Sequence, residues 1–372
     1  MKSNKVGIAT WHKNGNYGGT LQAYAMSETY KKLGLVPEFI NYNPAYKKFS
    51  YKIIRRIKNF LIFLRYPTIG FSREKIYQFV KKEMLESPNF YNYDQLREYA
   101  ENNYAFASCG SDQIWSVFPD REIKEFYFLT FISKDKRLSY APSIGLQEVP
   151  AGKVSYFGKL VGDIPFLSVR EENGKRIIQE VSGREAAVVL DPCLLLSQDE
   201  WLSKLQPTRI VKPKYIFCYF LRNKKNHIEF ANKLSQRTGY QIISVQTKRE
   251  GVLSLNNKIV DPLGFVSLVR DAEYVLTDSF HGSVFSFILK KHLGMFLRFN
   301  ENELLNQNSR IYNLLSIIKD DSCIIKDNTD IDTFLNNSID YQKVHIELDK
   351  ARKNSLLFLE ESISKICNQA NK

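Results

Sequence analysis

Long apolar runs are missing from this 372-residue sequence. Local ones such as Phe60 to Leu64 fall far short of the about 20 residues that a membrane-spanning helix needs. The opening residues run straight into a strand-like Val6–Thr10 with no apolar leader, so the chain is expected to stay in the cytoplasm. Cysteine is sparse. Cys109, Cys193, Cys218, Cys323 and Cys367 stand far apart, with no CxxC and no Cys/His cluster at metal-ligand spacing. A disulfide framework and a structural zinc site are thereby excluded, and scattered thiols in a reducing compartment are expected. The sequence also lacks the GxxxxGK[ST] nucleoside-triphosphate loop, the GxGxxG dinucleotide turn, the GxSxG elbow and HExxH. Motifs for nucleic-acid binding are absent too, and no nucleic-acid partner, metal or cofactor is expected. There is no short internal repeat and no low-complexity tract.

What the sequence does hold is bulk for burial. It is 44% hydrophobic, with 25 Phe and 21 Tyr, which rules out general disorder. Its length points to about two domains. The formal net charge of +13 points to anionic partners: nucleic acid, a membrane surface, or phosphorylated and carboxylated small molecules.

Strand-like and helix-like segments alternate, which predicts parallel sheets in two α/β lobes with an active site in the cleft between them. Residues 1–203 form the first lobe, with a strand at Val6–Thr10, a helix at Leu21–Leu33, and strands at Pro37–Asn41, Tyr104–Ser108, Phe166–Val169 and Ala187–Leu190. Residues 204–213, with Pro207 and Pro213, read as a linker. The pattern restarts over 214–340. Residues 341–372 carry Val344, Leu348, Ala351, Leu356, Leu359, Ile363 and Ile366 at helical spacing, predicting one long helix packed across a lobe.

The segment 47–75 is unusual: nine Lys/Arg and a single acid, Glu74. Ile53, Ile57, Phe60, Leu61 and Leu64 form an apolar stripe at helical spacing, with Lys52, Arg55, Arg56 and Lys58 around it. Such a helix suits an anionic membrane face. It equally suits a solvated helix docked on its own domain.

Four blocks carry candidate chemistry. Asn16-Tyr17-Gly18-Gly19, with Gln22, lies between the first strand and first helix, where glycines admit a ligand to backbone N–H groups or simply make a tight turn. Ser111-Asp112-Gln113, with Trp115, follows a strand; it fits a sugar, polar groups for hydroxyls and a ring for the pyranose face, or a polar turn with a core Trp. Arg170, in Ser168-Val169-Arg170-Glu171, is either a reader of carboxylate and phosphate or the partner of a nearby acid. In Asp278-Ser279-Phe280-His281-Gly282-Ser283, Ser279 or Asp278 caps a helix, His281 sits in its first turn, and Gly282 leaves room for close approach. Asp330-Ile331-Asp332 has the DxD form of metal-dependent sugar transferases but lies in a polar acidic stretch and reads as surface.

Taken in order, NYGGTLQAYA, GSDQIW, SYAPSIG (139–145), SVREENG, LDPCLLL (190–196), TDSFHGSVFSF and NSRIYNLL (308–315) resemble the polysaccharide pyruvyl transferase family. The resemblance covers residue 5 to about 318 and leaves out the basic segment and the last helix. It implies a fold similar to the two-lobed glycosyltransferase B type. It implies phosphoenolpyruvate as donor and a glycan acceptor, free or lipid-linked, that gains a cyclic pyruvate ketal. The family's functional Arg and His fall on Arg170 and His281, the candidates for catalysis. Ser279, Gly282 and Ser283 join them at the donor, with Arg298 or Arg310 as the later basic residue. The acceptor is expected against Asn16–Gln22 and Ser111–Trp115; a lipid-linked acceptor would give the Lys52–Leu64 helix the task of holding the protein at the inner face of the membrane. Two other readings remain: a nucleotide-sugar glycosyltransferase on the same frame, and a non-catalytic sugar-binding relative.

Overall fold

The computed structural model describes residues 4–47, 49–118, 120–222, 224–247, 256–299, 303 and 306–369. The side chains of 46–52, 55, 56, 58 and 59, which include the basic Lys52, Arg55, Arg56 and Lys58, lie outside the description.

The first half runs β1 (Lys5–Ala9), α1 (Tyr17–Lys32), β2 (Val36–Tyr42), α2 (Phe49–Arg65), α3 (Pro67–Glu83), β3 (Glu86–Phe90), α4 (Tyr93–Asn103), β4 (Phe106–Cys109), β5 (Arg137–Ser139), α5 (Val154–Gly162), β6 (Ser168–Val169), α6 (Glu172–Ser182), β7 (Ala187–Val188) and α7 (Gln198–Ser203). Its strands form a parallel sheet in the order β3-β2-β1-β4-β5. The β6–β7 pair extends it through the parallel bridge between Leu138 and Phe166. Residues 204–214 carry no helix or strand.

The second half runs β8 (Tyr215–Tyr219), α8 (Lys225–Thr238), β9 (Gln241–Ser244), α9 (Pro262–Asp271), β10 (Tyr274–Thr277), α10 (Phe280–Ile288), β11 (His292–Met295), α11 (Ser309–Ile318), α12 (Ile331–Asn336) and α13 (Tyr341–Gln369). Its parallel sheet has the order β11-β10-β8-β9. In both sheets the strand order reverses beside the first strand of the half, β1 or β8. Ligand crevices of open α/β sheets lie at such a point, at the carboxyl ends of the strands.

Helix α1 starts four residues earlier than its apolar pattern predicts. Asn16 is extended (φ −126°, ψ 129°) and its Oδ1 accepts the Gly18 N–H at 2.9 Å, a cap that overrides the poor helix propensity of two glycines. Between β2 and β3 the chain inserts a helical hairpin, α2 and α3, of which only the first helix is evident in the sequence pattern. Pro67 at the first position of α3 starts the second.

One apolar core joins the halves. Tyr17 stacks on Phe265 at 5.0 Å and 17°, and Trp201 meets Phe285 edge-on at 4.9 Å. Helix α13 crosses both halves rather than one lobe. The Leu190 N–H donates to Ser355 Oγ (3.0 Å) and Arg352 Nε to Leu194 O (2.8 Å), while His345 Nε2 meets Phe287 O (3.0 Å). Among the described residues no helix is long and apolar enough to cross a membrane.

Candidate active site

The loops after β1, β4, β6 and β10 bring four of the sequence blocks together. At their centre is a residue that sequence reasoning passed over, Asp191. It is fully buried, and its Oδ1 accepts the Cys193 N–H at 3.0 Å, fixing the turn that Pro192 begins. Its Oδ2 accepts from Arg170 Nη1 at 2.9 Å and Ser111 Oγ at 3.1 Å, and lies 3.5 Å from His281 Nε2. Burial alone would raise this carboxyl. His281 and Arg170 outweigh it and hold the group ionised, well below the usual carboxylate range. The signal for Asp191 in the sequence was an Asp-Pro closing a buried strand, the N-cap form of a helical turn.

Arg170 is buried and largely engaged. Nε donates to Glu171 Oε1 (2.8 Å), Nη1 to Asp191, and the guanidinium lies 4.4 Å from the Phe280 ring centre. Burial would lower its pKa, but Glu171 and Asp191 together raise it. Of the two readings open from sequence, pairing with nearby acids is the one observed. Among the described residues the buried Nη2 is left without a hydrogen-bond partner.

Arg310, from the start of α11, carries the charge that Arg170 has already spent. Among the described residues its Nε and Nη2 reach only Gln307, at O (3.3 Å) and Oε1 (3.2 Å). Among the described residues no carboxylate forms an ion pair with it. Burial pushes Arg310 down to about 9, and Arg298 and Arg170 push the same way. A guanidinium keeps its proton at neutral pH even so, and a bound anion would relieve the cost. Arg170, Asp191, Phe280, Arg310 and Asn313 line one small hollow, closed on its other sides by apolar side chains that include Leu190 and Leu314. Arg298 sits further out, donating from Nη2 to Asp278 O (2.9 Å), with Nε 3.9 Å from Asp278 Oδ2. The Asp278 carboxylate braces the loop after β8 by accepting the N–H groups of Leu221 (2.7 Å) and Arg222 (3.0 Å).

His281 opens α10 and is held edge-on between the two halves. A Cβ on Gly18 would come within 2.2 Å of its Nδ1. The Phe280 ring stands perpendicular to it at 5.2 Å. Nε2 faces Asp191 beyond good hydrogen-bond distance and has no hydrogen-bond partner among the described residues. Gly18 is therefore glycine because an imidazole from the other half packs on it. That corrects the expectation that this glycine admits a ligand. Gly282 is corrected likewise: a Cβ there would meet Thr277 Oγ1 at 2.4 Å, so the residue lets α10 start hard against β10.

Other expected contacts are spent within the fold. Ser279 Oγ caps α10 on the Gly282 N–H (3.4 Å), and Ser283 Oγ donates to Ser279 O (3.2 Å). Tyr17 is in the inter-half core, its hydroxyl donating to Val260 O (3.0 Å), so it offers no ring to an acceptor. Asn16 is occupied as the cap of α1, and Gly19 packs on the Asn14 side chain. Gln22 is a buried strut: Nε2 donates to Gly19 O, Thr10 Oγ1 and Trp11 O, and Oε1 accepts the Ser111 N–H. Trp115 is not a sugar platform either, since its ring is stacked on Phe128 at 5.1 Å and 2° and its Nε1 donates to Tyr127 O. Asp112 and Gln113 are different. The Asp112 charge is felt by both Arg170 and Arg310, and Gln113 Nε2 has no partner.

Asp191, Cys193 and His281 place ligand-type atoms within 4.8 Å of one another. The set does not suit a cation. Asp191 already accepts from Arg170, and burial together with Asp191 pushes the Cys193 thiol well above its usual range, away from the thiolate a metal needs.

The sequence matches the polysaccharide pyruvyl transferase family model over residues 16–293, about three quarters of its length. The chain belongs to that family. No curated protein matches it significantly. Among solved structures it is similar to a UDP-N-acetylglucosamine 2-epimerase from Rickettsia bellii, with a TM-score of 0.51 at 10% identity over 97% of this chain and 96% of that one. It is also similar to the Neisseria meningitidis UDP-GlcNAc 2-epimerase bound to UDP-GlcNAc (TM-score 0.47, 11%, 93% and 98%). Arabidopsis thaliana UGT89C1 complexed with UDP-L-rhamnose matches as well (TM-score 0.47, 10%, 99% and 100%). At these identities the likeness concerns the fold alone: two Rossmann-like lobes of the glycosyltransferase B type. The family assignment makes this transferase a protein of pyruvyl transfer to polysaccharide.

Proposed function

We propose that the protein transfers the pyruvyl unit of phosphoenolpyruvate to two hydroxyls of one sugar, forming a cyclic ketal and releasing phosphate. The observation that carries this reading is the hollow shared by Arg310, with no carboxylate partner among the described residues, and the unfilled Nη2 of Arg170. A small donor bearing both phosphate and carboxylate matches two guanidiniums set at one cavity. The N-terminus of α10 adds a favourable dipole for the same anion.

The reaction balances without a further reagent. The donor methylene takes a proton, one sugar hydroxyl adds at C2, phosphate leaves, and the second hydroxyl closes the ring. Of the two hydroxyl protons, one ends on the methyl group and one on phosphate. His281 is the residue proposed to move them, a role typically worth about 10²–10⁴-fold. Asp191 is a positioning residue. It faces the imidazole, fixes Arg170 and holds Ser111, and so keeps the groups of the site in place. Asp112 and Gln113, beside the arginines, are proposed to meet the acceptor hydroxyls. The acceptor is a glycan of a surface polysaccharide or its lipid-linked precursor.

The test is phosphate release from phosphoenolpyruvate with a panel of glycan acceptors, run beside His281→Ala, Arg310→Gln and Asp191→Asn. Turnover by the wild-type protein and its loss in the first two, with the fold retained, is expected. Turnover of a nucleotide sugar instead of phosphoenolpyruvate would replace this reading.

A further inference from the structure

The α2–α3 hairpin presents an apolar surface that the fold leaves uncovered. Helix α3 is the docked member: Ile69, Ile76, Phe79 and Val80 are buried, and Phe79 meets Tyr24 of α1 at 5.3 Å. Helix α2 lies outside it, joined by Phe63, which packs on Gly70 and meets Phe71 edge-on at 4.8 Å. Among the described residues nothing covers the other face of α2. Ile54 is 63% exposed, Phe60 61% and Leu64 59%, with Ile53, Ile57 and Leu61 also exposed. At 100° per residue these six fall within an arc of about 120°. The sequence-level alternative of a stripe docked on its own domain is therefore corrected: the stripe faces outward.

Charge selects the occupant. Helix α2 holds Lys52, Arg55, Arg56, Lys58 and Arg65 and no acid. By helical position 52 and 56 flank the apolar arc on one side, and 58 and 65 on the other. An apolar face bordered by cations on both sides, in a chain of net charge +13, matches the headgroup–acyl boundary of an anionic bilayer. A protein partner or a second copy of this chain would have to bring a matching acidic rim, and the copy is itself basic.

The hairpin also reaches the seam between the halves. Arg73 of α3 lies against Gly15, in the loop that leads into α1 and Gly18, and its Nη2 donates to Thr247 O of the second half at 3.2 Å. We infer that α2 docks this protein onto an anionic lipid surface, with the seam turned toward it. Where the proposed reaction holds, a lipid-linked acceptor then reaches the site from the bilayer. That last step alone rests on the proposed function.

The experiment is flotation of the full chain with vesicles of phosphatidylglycerol and phosphatidylcholine, against phosphatidylcholine alone, at low and high salt. Wild-type protein is expected to float with the anionic vesicles only, and less at high salt. Ile54→Gln/Ile57→Gln/Leu61→Gln and Lys52→Gln/Arg56→Gln/Lys58→Gln are each expected to bind on the order of 100-fold more weakly. Both should keep the wild-type melting temperature and wild-type turnover of a water-soluble acceptor. Absence of flotation, equal flotation with both vesicle types, or unchanged flotation of both variants overturns the inference. So does a wild-type dimer, seen by light scattering, that the apolar variant dissociates while no flotation occurs. Flotation as expected in a protein that turns over no phosphoenolpyruvate leaves the membrane surface standing and removes the donor chemistry.

Discussion

Gly18→Ala is the sharpest single perturbation of this site. The added methyl would lie 2.2 Å from His281 Nδ1, 2.5 Å from Cγ and 2.9 Å from Cβ, where ordinary contact begins near 3.4 Å. The imidazole must therefore retreat by about 1.2 Å. It has no room to do so, with the Asp191 carboxylate 3.5 Å beyond Nε2 and the Phe280 ring perpendicular beside it. Overpacking of this kind costs about 1–3 kcal/mol, and a displacement near 1 Å at a reacting group costs on the order of 100-fold in rate. Phosphate release and calorimetric unfolding read the two effects separately. Gly174→Ala is the control: the nearest atom is Val169 Cβ at 3.4 Å in the interior of α6, so activity should hold and stability rise by up to about 1 kcal/mol. In Gly18→Ala/His281→Ala the clash is gone, so stability returns while turnover stays lost. Wild-type turnover and melting temperature in Gly18→Ala would refute the reasoning, because the imidazole would then not be needed where the structure holds it.

Arg310→Gln removes a buried cation with no carboxylate partner among the described residues, so it should raise the melting temperature of the ligand-free protein while abolishing the thermal shift caused by phosphoenolpyruvate. A lower melting temperature would place an unrecognised counter-charge beside it. His227, packed 4.3 Å from Phe296 with Nδ1 unpartnered, is pushed by burial, then by Lys224 and Arg298, from its usual 6.5 to about 3. A base whose folded pKa is depressed loses stability as pH falls below its unfolded pKa. About 2 kcal/mol should therefore be lost between pH 8 and pH 5 through this residue, and a pH series of denaturant melts on His227→Phe should show that loss removed. Calorimetry of the wild-type chain should give one unfolding transition for both halves, since they share one apolar core; two resolved transitions would count against that.

Much of the fold was legible because parallel strands buried on both faces read as short apolar runs, and Tyr215–Tyr219 and Tyr274–Thr277 are of that kind. Helix α3 and strand β3 were not. Strand β3, Glu86–Phe90, is a polar edge strand containing a proline, and its pairing partner lies across a two-helix insertion. At the site, Arg170 and His281 were found because a charged or titratable residue at a strand end is conspicuous. Asp191 was not, because its meaning lies in partners 21 and 80 residues away along the chain. Trp115 and Gln22 failed in the opposite sense. An indole or an amide looks the same in a sequence whether it meets a sugar or a backbone carbonyl. Gly18 and Gly282 were right in kind and wrong in cause, since what approaches each is a side chain of the fold itself.

The same contacts bear on how the site works. Asp191, Arg170 and Ser111 belong to the first half and His281 to the second, yet they meet on one carboxylate oxygen. Hinged opening of the halves would separate His281 from both Gly18 and Asp191 and break the stack of Tyr17 on Phe265. Helix α13 resists it further, because it fixes Leu190, next to Asp191, and Phe287, within α10, to the same rigid rod. A cluster held from both sides in this way keeps its charges aimed before any donor arrives, so little reorganisation remains for the reaction step. The energetic strain is then concentrated in Arg310, the one guanidinium of the hollow left with only amide oxygens as partners among the described residues. If the proposed donor binds there, it would recover the stability lost at that residue, and donor binding and the folding of α11 would be two readings of one interaction.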